Sequence, residues 1–521
     1  MKHHRSRGKV CVVRESWECG REDGSVTRNL PEESYGLRQR IGWVAGPMAL
    51  LLTLLLPPPS GLSVEGWLTA GAAMLMAVFW IAESIPIPAT ALLPFVLFPA
   101  LGLGNIAETA APFANPIIFL FLGGFIIALA MQRWNLHRRV AIGLIGVLGT
   151  KPSSIIAGFL LASALVSMWV SNTATSLMML PIALSVVQLL PERAHQTREV
   201  RGFGTALLLS VAFGATTGGM GTLIGTPPNA LLAGYFSDIH GVTIGFGQWM
   251  LVGVPVVLVA LPAVYLVLTR VMFTLDAREL PGMAALIGAE KAAQGRMGRG
   301  EIAVAVVFVL TAAGWVFRPL IANAMPLVSD TTVAMAGALL LFMIPMNVRR
   351  GEFVMDWAAT KGVPWGVLLL FGGGLSLAGN IERHGLAAYL GNLAIGLGDM
   401  PIVLTLCAIS FGVLMLTELT SNTATAATFL PIGGALALSL GQNPLLMTIP
   451  IALAANCSYM LPVGTPPNAI VYGSGLITLP EMARAGILLN LTLVPVVVAL
   501  LLLLGPMVFG IEMGVVPPWA R

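Results

Sequence analysis

Ser171-Asn172-Thr173-Ala174-Thr175 returns as Ser421-Asn422-Thr423-Ala424-Thr425, an offset of 250 residues. The same offset carries Phe121-Leu122-Gly123-Gly124 onto Phe371-Gly372-Gly373-Gly374 and Pro181 onto Pro431. Further along, Gly225-Thr226-Pro227-Pro228-Asn229-Ala230 returns as Gly464-Thr465-Pro466-Pro467-Asn468-Ala469, an offset of 239 that fits the longer loop at 191–202 in the first copy. Identities of five and six residues in the same order mark an internal duplication. Each motif lies inside a long apolar stretch: 152–190 and 401–440 for the first pair, 203–237 and 445–475 for the second.

The surroundings of the repeats identify the solvent. Lys plus Arg number 28 and Asp plus Glu 24 among 521 residues, so charged side chains make up 10% of the chain while hydrophobic residues make up 56%. A soluble domain carries about 25% charged residues. Mean hydropathy is +0.86. The apolar runs are continuous, not alternating, which argues against a β-barrel. The expected fold class is an all-α polytopic membrane protein. A cytosolic enzyme, a nucleic-acid binder and a disordered chain are ruled out. Cys11, Cys19, Cys407 and Cys457 form no CxxC pair and the six histidines no ligand spacing, so neither a disulfide framework nor a metal centre is expected.

Apolar segments fall at 41–57, 66–84, 86–102, 115–132, 152–190, 203–237, 248–274, 301–323, 331–346, 364–381, 401–440, 445–475 and 485–510. A crossing takes about 20 apolar residues. The pattern reads as about 11 transmembrane helices plus two segments, 152–190 and 401–440, that leave and return on one side. Residues 1–40 are polar, without an apolar core or cleavage site, and read as a cytoplasmic tail and not a signal peptide. Cytoplasmic loops retain Lys and Arg. Arg133, Arg138, Arg139, Arg193, Arg198, Arg201, Arg278, Lys291, Arg296, Arg299, Arg349, Arg350 and Lys361 all fall on the side of the tail, whereas 57–63, 103–114 and 238–246 hold no Lys or Arg.

The expected organisation is therefore a cytoplasmic tail at 1–40 leading into a first transmembrane helix at 41–63. One repeat covers 64–275, with a hairpin at 152–190 and a broken helix at 203–237. A cytoplasmic linker at 276–300 joins it to a second repeat over 301–510, with a hairpin at 401–440 and a broken helix at 445–475. Residues 511–521 form an external C-terminus. Parity inverts the repeats, since 115–132 runs inward where 364–381 runs outward. Inverted repeats with discontinuous helices mark secondary transporters.

The motifs suit binding. At a re-entrant tip the residues are small, uncharged and rich in oxygen. The arm after the tip offers free N–H groups and a positive dipole end, and the turn before it offers carbonyls. Each arm is also long enough to span fully, and charge parity does not separate that case from a re-entrant tip. The second motif pair bears on the choice. Parity makes 203–237 cross once, yet Gly225 and Pro227-Pro228 lie within it. Two prolines remove two donors, and a helix-interior proline costs about 3 kcal/mol or more. Backbone freed at membrane depth is tolerated beside protein or a hydrated cavity. A break carrying Thr and Asn therefore reads as a binding element, with a simple proline kink as the alternative.

Charge then bears on the ligand. In sequence, the basic residues nearest Ser171 are Lys151 and Arg193, and those nearest Ser421 are Arg383 and Arg484. An anion at the tips meets hydroxyls, amides and helix N-termini but no fixed cation, so a co-bound cation supplies the missing charge. Ser167 lies on the same helical face as Ser171, four residues earlier, and Thr417 takes the equivalent place before Ser421. Hard cations prefer such oxygen ligands. Na⁺ suits neutral oxygens, whereas H⁺ coupling calls for an acid or a histidine. Glu83 ends the second span. Glu418 has no acidic counterpart, since Met168 occupies its place in the first repeat, and it reads as a structural hydrogen-bonding group. Arg383 and His384 read as interfacial.

Through Ser171-Asn172-Thr173, Ser421-Asn422-Thr423, Thr226-Pro227 and Thr465-Pro466, and through the context Leu461-Pro462-Val463-Gly464-Thr465-Pro466-Pro467-Asn468, the chain resembles the divalent anion:sodium symporter family over about residues 41–510. These are the dicarboxylate, citrate and sulfate transporters, and the likeness is greatest to bacterial Na⁺/dicarboxylate symporters. The resemblance implies two re-entrant hairpins facing two broken helices. It implies a first Na⁺ site of Ser167, Ser171, Asn172 and the backbone near Gly225. It implies a second of Thr417, Thr420, Asn422 and the backbone near Gly464. Substrate carboxylates would touch Ser171, Asn172, Thr173, Ser421, Asn422, Thr423 and the breaks at Thr226, Pro227, Thr465 and Pro466. It further implies a homodimer in the cell (inner) membrane and an elevator motion. Sulfate-type relatives often carry a large soluble insertion. The linker here is too short for one, which favours carboxylates.

The leading expectation is Na⁺-coupled symport of di- or tricarboxylates of the succinate, malate and fumarate type. A Na⁺-independent dicarboxylate exchanger and a symporter of sulfate or another divalent anion are the alternatives within transport, and an anion channel is the alternative outside it. No catalytic His/Asp, Ser/Lys or metal-ligand cluster falls at membrane depth, so the chain is not read as an enzyme.

Overall fold

Asparagine and proline punctuate this chain where its helices begin. The computed structural model describes residues 36–189, 198–273, 275, 282–393 and 400–520. In it Asn115 caps Pro116–Arg133 and Asn443 caps Pro444–Asn456. Each is followed by a proline at the first helical position, where the missing N–H would have had no intrahelical partner. Ser63 caps Val64–Ala82, and Asn105 with Glu108 forms a reciprocal capping box on Ile106–Ala110. The outcome is an all-α body. Among the described residues the strands are confined to one antiparallel ribbon, Pro345–Asn347 against Glu352–Phe353. The chain divides after Gly36, and the helical body is formed by Leu37–Arg521. Most of the expected tail, with Cys11 and Cys19, lies outside the described residues. Its last residues are already helical, because Leu37–Leu55 begins ahead of the expected boundary at 41.

Seven helices among the described residues are long and apolar enough to cross a membrane, among them Val64–Ala82, Phe246–Met272, Arg299–Val316 and Leu479–Phe509. The other expected crossings fall on shorter or more polar helices: Leu37–Leu55 with Arg38 and Arg40 near its start, Ile87–Ala100, Asp330–Met343 and the second interrupted segment, which begins with Pro444–Asn456. The linker at 276–300 is not all loop. Within it, Met283–Gln294 is helical and is seated on Leu136–Leu148 by the ion pair of Arg138 with Glu290 at 2.7 Å. At the other end, Trp519 packs edge-on against His240, 5.4 Å between centroids, and Phe236, 5.9 Å.

The duplicated motifs sit in matching elements. Pro116–Arg133 and Trp365–Arg383 carry the Gly-Gly pairs. A Cβ at Gly123 would lie 2.8 Å from the backbone of Ala334, and one at Gly373 would lie 2.4 Å from the carbonyl of Ala91. These glycines thus admit a neighbouring backbone, the usual role of small residues between membrane helices. Phe121 and Phe371, matched across the repeat, pack edge to face at 5.2 Å.

The first hairpin pairs Pro152–Ser167 with Asn172–Gln188, and the second pairs Ile402–Thr417 with Asn422–Ser439. The first broken helix consists of Arg198–Gly219 and Pro227–Ile239, and the second of Pro444–Asn456 and Pro466–Tyr472. One expectation from the sequence is corrected by this geometry. The prolines do not interrupt a helix interior, because Pro227 and Pro466 open the second half of each helix behind extended N-caps, Thr226 and Thr465, both at φ −151°. The interior penalty therefore does not arise, and the interruption lies just upstream, at 220–226 and 457–465.

Candidate substrate and cation site

Both tips and both breaks meet at one cavity of about 570 Å³, within the about 300–1,000 Å³ typical of small-molecule sites. Its wall includes Ser171, Asn172 and Thr173 from the first tip and Ser421, Asn422 and Thr423 from the second. Gly225, Thr226 and Pro227 come from the first break, and Gly464, Thr465 and Pro466 from the second. Every residue the sequence assigned to substrate is therefore in one place. The rest of the wall includes Phe125, Leu129 and Gln132 on one helix, Gly362, Pro364 and Val367 from another stretch of chain, and Glu83.

The helix ends give this cavity two kinds of pole. Ser171, Ser421, Thr226 and Thr465 are the N-caps of four helices, and all four line it. Three of those helices run 17, 18 and 13 residues, while Pro466–Tyr472 has 7. Free N–H groups at such ends favour negative charge. The partner segments end at Ser167, Gly219, Thr417 and Asn456, and carbonyl ends favour positive charge. No Lys or Arg is among the described wall residues.

The expected cation ligands lie just behind the wall. Ser167 is fully buried and donates to Asn172 Oδ1 at 2.6 Å. A Cβ at Gly219 would stand 2.7 Å from Asn172 Oδ1 and 3.2 Å from the Gly225 carbonyl, so the Asn172 carboxamide and the Gly225 carbonyl both lie against Gly219. In the second copy Thr417, also fully buried, donates to Asn422 Oδ1 at 2.8 Å and to the Ala455 carbonyl at 2.9 Å. A Cβ at Gly464 would lie 3.1 Å from the carbonyl of Glu418. Thr420 is drawn another way, to Thr425 Oγ1 at 2.7 Å and the Leu416 carbonyl at 2.9 Å.

Sequence reasoning left out of its site two asparagines that shape it. Asn229 Nδ2 donates to the carbonyls of Thr222 at 2.8 Å and Gly219 at 3.2 Å. Asn468 Nδ2 donates to those of Leu461 at 3.0 Å and Ser458 at 3.2 Å. The asparagine of each Pro-Pro-Asn thus fastens its own break, filling carbonyls that the interrupted helix leaves open. The motif names the residue, but its partner carbonyls become visible only after folding. Glu418 accepts from the N–H groups of Tyr459, Met460 and Leu461, from Ser458 Oγ and from Asn490 Nδ2, all within 3.1 Å. This agrees with a structural role for the acid.

Folding corrects the expectation drawn from charge. Arg38, remote in sequence, donates through Nη1 to the carbonyl of Leu419 beside the second tip at 2.8 Å and pairs with Glu83 at 3.1 Å. A fixed cation therefore stands next to that tip, with its charge offset by the carboxylate at the cavity wall. Arg383 pairs with Glu108 at 3.2 Å and His384 meets the Leu103 carbonyl at 3.0 Å, apart from the tips.

Known proteins share both the fold and much of the sequence. Two solved transporters have the fold. That of Alcanivorax borkumensis YdaH superposes with a TM-score of 0.54 at 13% identity, covering 90% of this chain and 98% of that one. That of Neisseria gonorrhoeae MtrF, one of a class of antimetabolite efflux pumps, gives 0.53 at 11%, covering 89% and 94%. Curated relatives are much nearer in sequence. The sodium-dependent dicarboxylate transporter SdcS of Staphylococcus saprophyticus is 43% identical over 488 residues, 92% of this chain and 94% of the relative. SdcS of Staphylococcus aureus is 41% identical over 502 residues, 94% and 95% respectively. The family profile described as the sodium:sulfate symporter transmembrane region matches residues 39–511. By that match and those identities, this chain belongs to the sodium:sulfate symporter family of membrane transporters.

Proposed function

We propose that this chain is a secondary active transporter that carries di- or tricarboxylates of the succinate, malate and fumarate type together with Na⁺. The observation that supports it most is the arrangement of helix ends. Four N-caps face a cavity whose described wall lacks Lys and Arg, and the carbonyl ends at Ser167 and Thr417 stand behind it, their hydroxyls bonded to the Asn172 and Asn422 side chains. The N-termini suit the carboxylates, and the neutral oxygens suit Na⁺. The printed activity of the SdcS relatives agrees with dicarboxylate and sodium.

In this reading Ser167, Ser171, Asn172 and the Gly225 backbone hold one Na⁺. Thr417, Asn422 and the Gly464 backbone hold the other, with Thr420 supporting the second turn. The chain sits in the cell membrane with its N-terminus in the cytoplasm and its C-terminus outside, as the Lys/Arg asymmetry suggests. Gln132, Gly362 and Glu83 of the cavity wall, beside Arg133, Lys361 and Arg38, are then on its cytoplasmic side. The two hairpins and two broken helices move as one unit past the rest, in the manner of an elevator, and two copies form the homodimer.

The test is uptake of radiolabelled succinate into proteoliposomes with and without an inward Na⁺ gradient. Uptake that requires Na⁺, with Li⁺ and K⁺ poor substitutes, is expected. Asn172→Ala and Asn422→Ala should each abolish it while leaving the fold intact, since a polar partner lost from a desolvated site costs about 1–3 kcal/mol, and more with charge. Equal counter-exchange in Na⁺-free medium would install the exchanger in its place.

A further inference from the structure

We propose that Asn456 is the positioning residue that couples the two cation sites to each other. The proposal rests on the Na⁺-coupled reading above and assigns its cooperativity to a side chain in neither tip and neither Thr-Pro pair.

Asn456 ends Pro444–Asn456 and is 1% exposed. Its Oδ1 accepts from Thr226 Oγ1 at 2.7 Å, and its Nδ2 donates to Asn229 Oδ1 and to the Ala452 carbonyl, both at 3.0 Å. One carboxamide from the second repeat thus grips both polar residues of the first repeat's Thr-Pro-Pro-Asn. Asn229 passes the connection on, because its Nδ2 holds the carbonyls of Thr222 and Gly219. Gly219 is the surface on which the Asn172 carboxamide lies.

On the other side the connection is one residue long. The carbonyl of Ala455 accepts from Thr417, the hydroxyl that also donates to Asn422 Oδ1. A hydroxyl has one proton, so these two bonds compete. A cation drawing on the oxygens of Thr417 and Asn422 turns that proton to Ala455. That tightens the helix end at Asn456, and through Asn229 it sets the break against which Asn172 packs. Buried polar networks of this kind respond as units.

The duplication does not force this link. Asn456 aligns with Thr217 at the offset of 239, as Asn468 does with Asn229. A symmetric molecule would have Thr217 serving Asn468. Instead Thr217 bonds Tyr459 at 2.9 Å, and Asn468 Oδ1 is buried without a partner. The bridge from the second helix to the first break is therefore built once, by a residue type its repeat mate lacks.

The experiment compares Asn456→Ala and Asn456→Thr with the unaltered full chain. The threonine variant carries the residue type found at the matched position and keeps a hydroxyl able to bond Ala452. Initial rates of succinate uptake into proteoliposomes are measured against Na⁺ concentration, and Na⁺-dependent thermal stabilisation is measured without substrate. The unaltered chain should show a Na⁺ Hill coefficient above one. In the variants it should fall to one, with half-saturating Na⁺ raised by about fivefold or more, while uptake at saturating Na⁺ is retained. Thr217→Val, which breaks the parallel bond, should leave the Hill coefficient unchanged.

Three results would overturn the proposal: an unaltered Hill coefficient in both Asn456 variants, an equal loss of uptake at every Na⁺ concentration, or the same fall in Thr217→Val. Failure of both Asn456 variants to fold would also do so, by making the residue a structural one. Uptake by the unaltered chain in the absence of Na⁺ would instead remove the functional reading itself.

Discussion

At 220–226 the interrupted backbone of the first broken helix offers mainly carbonyls, and donors meet them. Asn229 Nδ2 reaches Gly219 and Thr222, and Trp249 Nε1 reaches Met220 at 3.1 Å. At 457–465 the second break also turns N–H groups inward, those of Tyr459, Met460 and Leu461, and the carboxylate of Glu418 gathers them. One six-residue motif is therefore fastened by its own asparagine in both halves, with an indole added in the first and the carboxyl group of Glu418 in the second. The residue that makes the difference lies on the hairpin. Glu418 and Met168 occupy matched positions, and Met168 contributes its carbonyl, to Thr222 Oγ1 at 2.5 Å. Duplication preserved the residues that line the cavity and left the means of support free to diverge.

The comparison breaks first at Glu418. Glu418→Ala strands three N–H groups, each costing about 1–3 kcal/mol when buried without a partner. We expect it to remove most of the folded protein, with Glu418→Gln intermediate because one acceptor oxygen survives. Met168→Leu at the matched position, a volume-conserving swap, should cost less than about 1.5 kcal/mol. Thermal unfolding in detergent ranks the three. Equal melting temperatures for Glu418→Ala and Met168→Leu would show that the Glu418 carboxyl group does not hold the second break.

Asn229 and Asn468 sharpen the comparison. The former holds its break and meets Asn456, while Asn468 holds its break with an oxygen that lacks a partner. Asn229→Ala should therefore destabilise more than Asn468→Ala, by about one hydrogen bond or 0.5–1.5 kcal/mol. The same unfolding measurement checks it, and a reversed order would place the greater burden on the second asparagine.

The smallest effect lies at the far end of the first broken helix. His240 is packed against Tyr235, Phe236 and Trp519, and burial lowers its pKa from 6.5 to about 4. The unfolded ring takes a proton below about pH 6.5 that the folded ring refuses until about pH 4, so the stability present above that window is lost as pH falls through it. Hydrogen exchange around 236–242 should speed up between pH 7 and 5, after correction for intrinsic rates. That around 471–477, where the second helix has no histidine, should not. His240→Gln should abolish the difference.

Much of this architecture is legible in the sequence because membrane helices announce themselves by length and polarity, and because the repeat names its polar residues twice. All the substrate residues it singled out line one cavity. What it did not reveal is support across distance. Asn456 reaches Asn229, Glu418 reaches a loop about 40 residues on, and Arg38 reaches Leu419 across most of the chain. None of these contacts has a period or a spacing. Distance along the chain hides Arg38 from the second tip, because charge acts through space. The prolines likewise read as helix breakers in the sequence, whereas the backbone uses them as helix starters.

The hydrogen bonds from Ser167 to Asn172 and from Thr417 to Asn422 bear on how readily an ion departs. In the proposed sites, a cation between the two oxygens of either pair would turn the hydroxyl proton elsewhere: at Thr417 the Ala455 carbonyl receives it, while at Ser167 the bond to Asn172, worth about 0.5–1.5 kcal/mol, is displaced. Binding at the first proposed site is weakened by that amount without any ligand being removed. For a carrier this sets a pace: an ion taken up at one face must be surrendered at the other, and a built-in rival for its ligands shortens its stay.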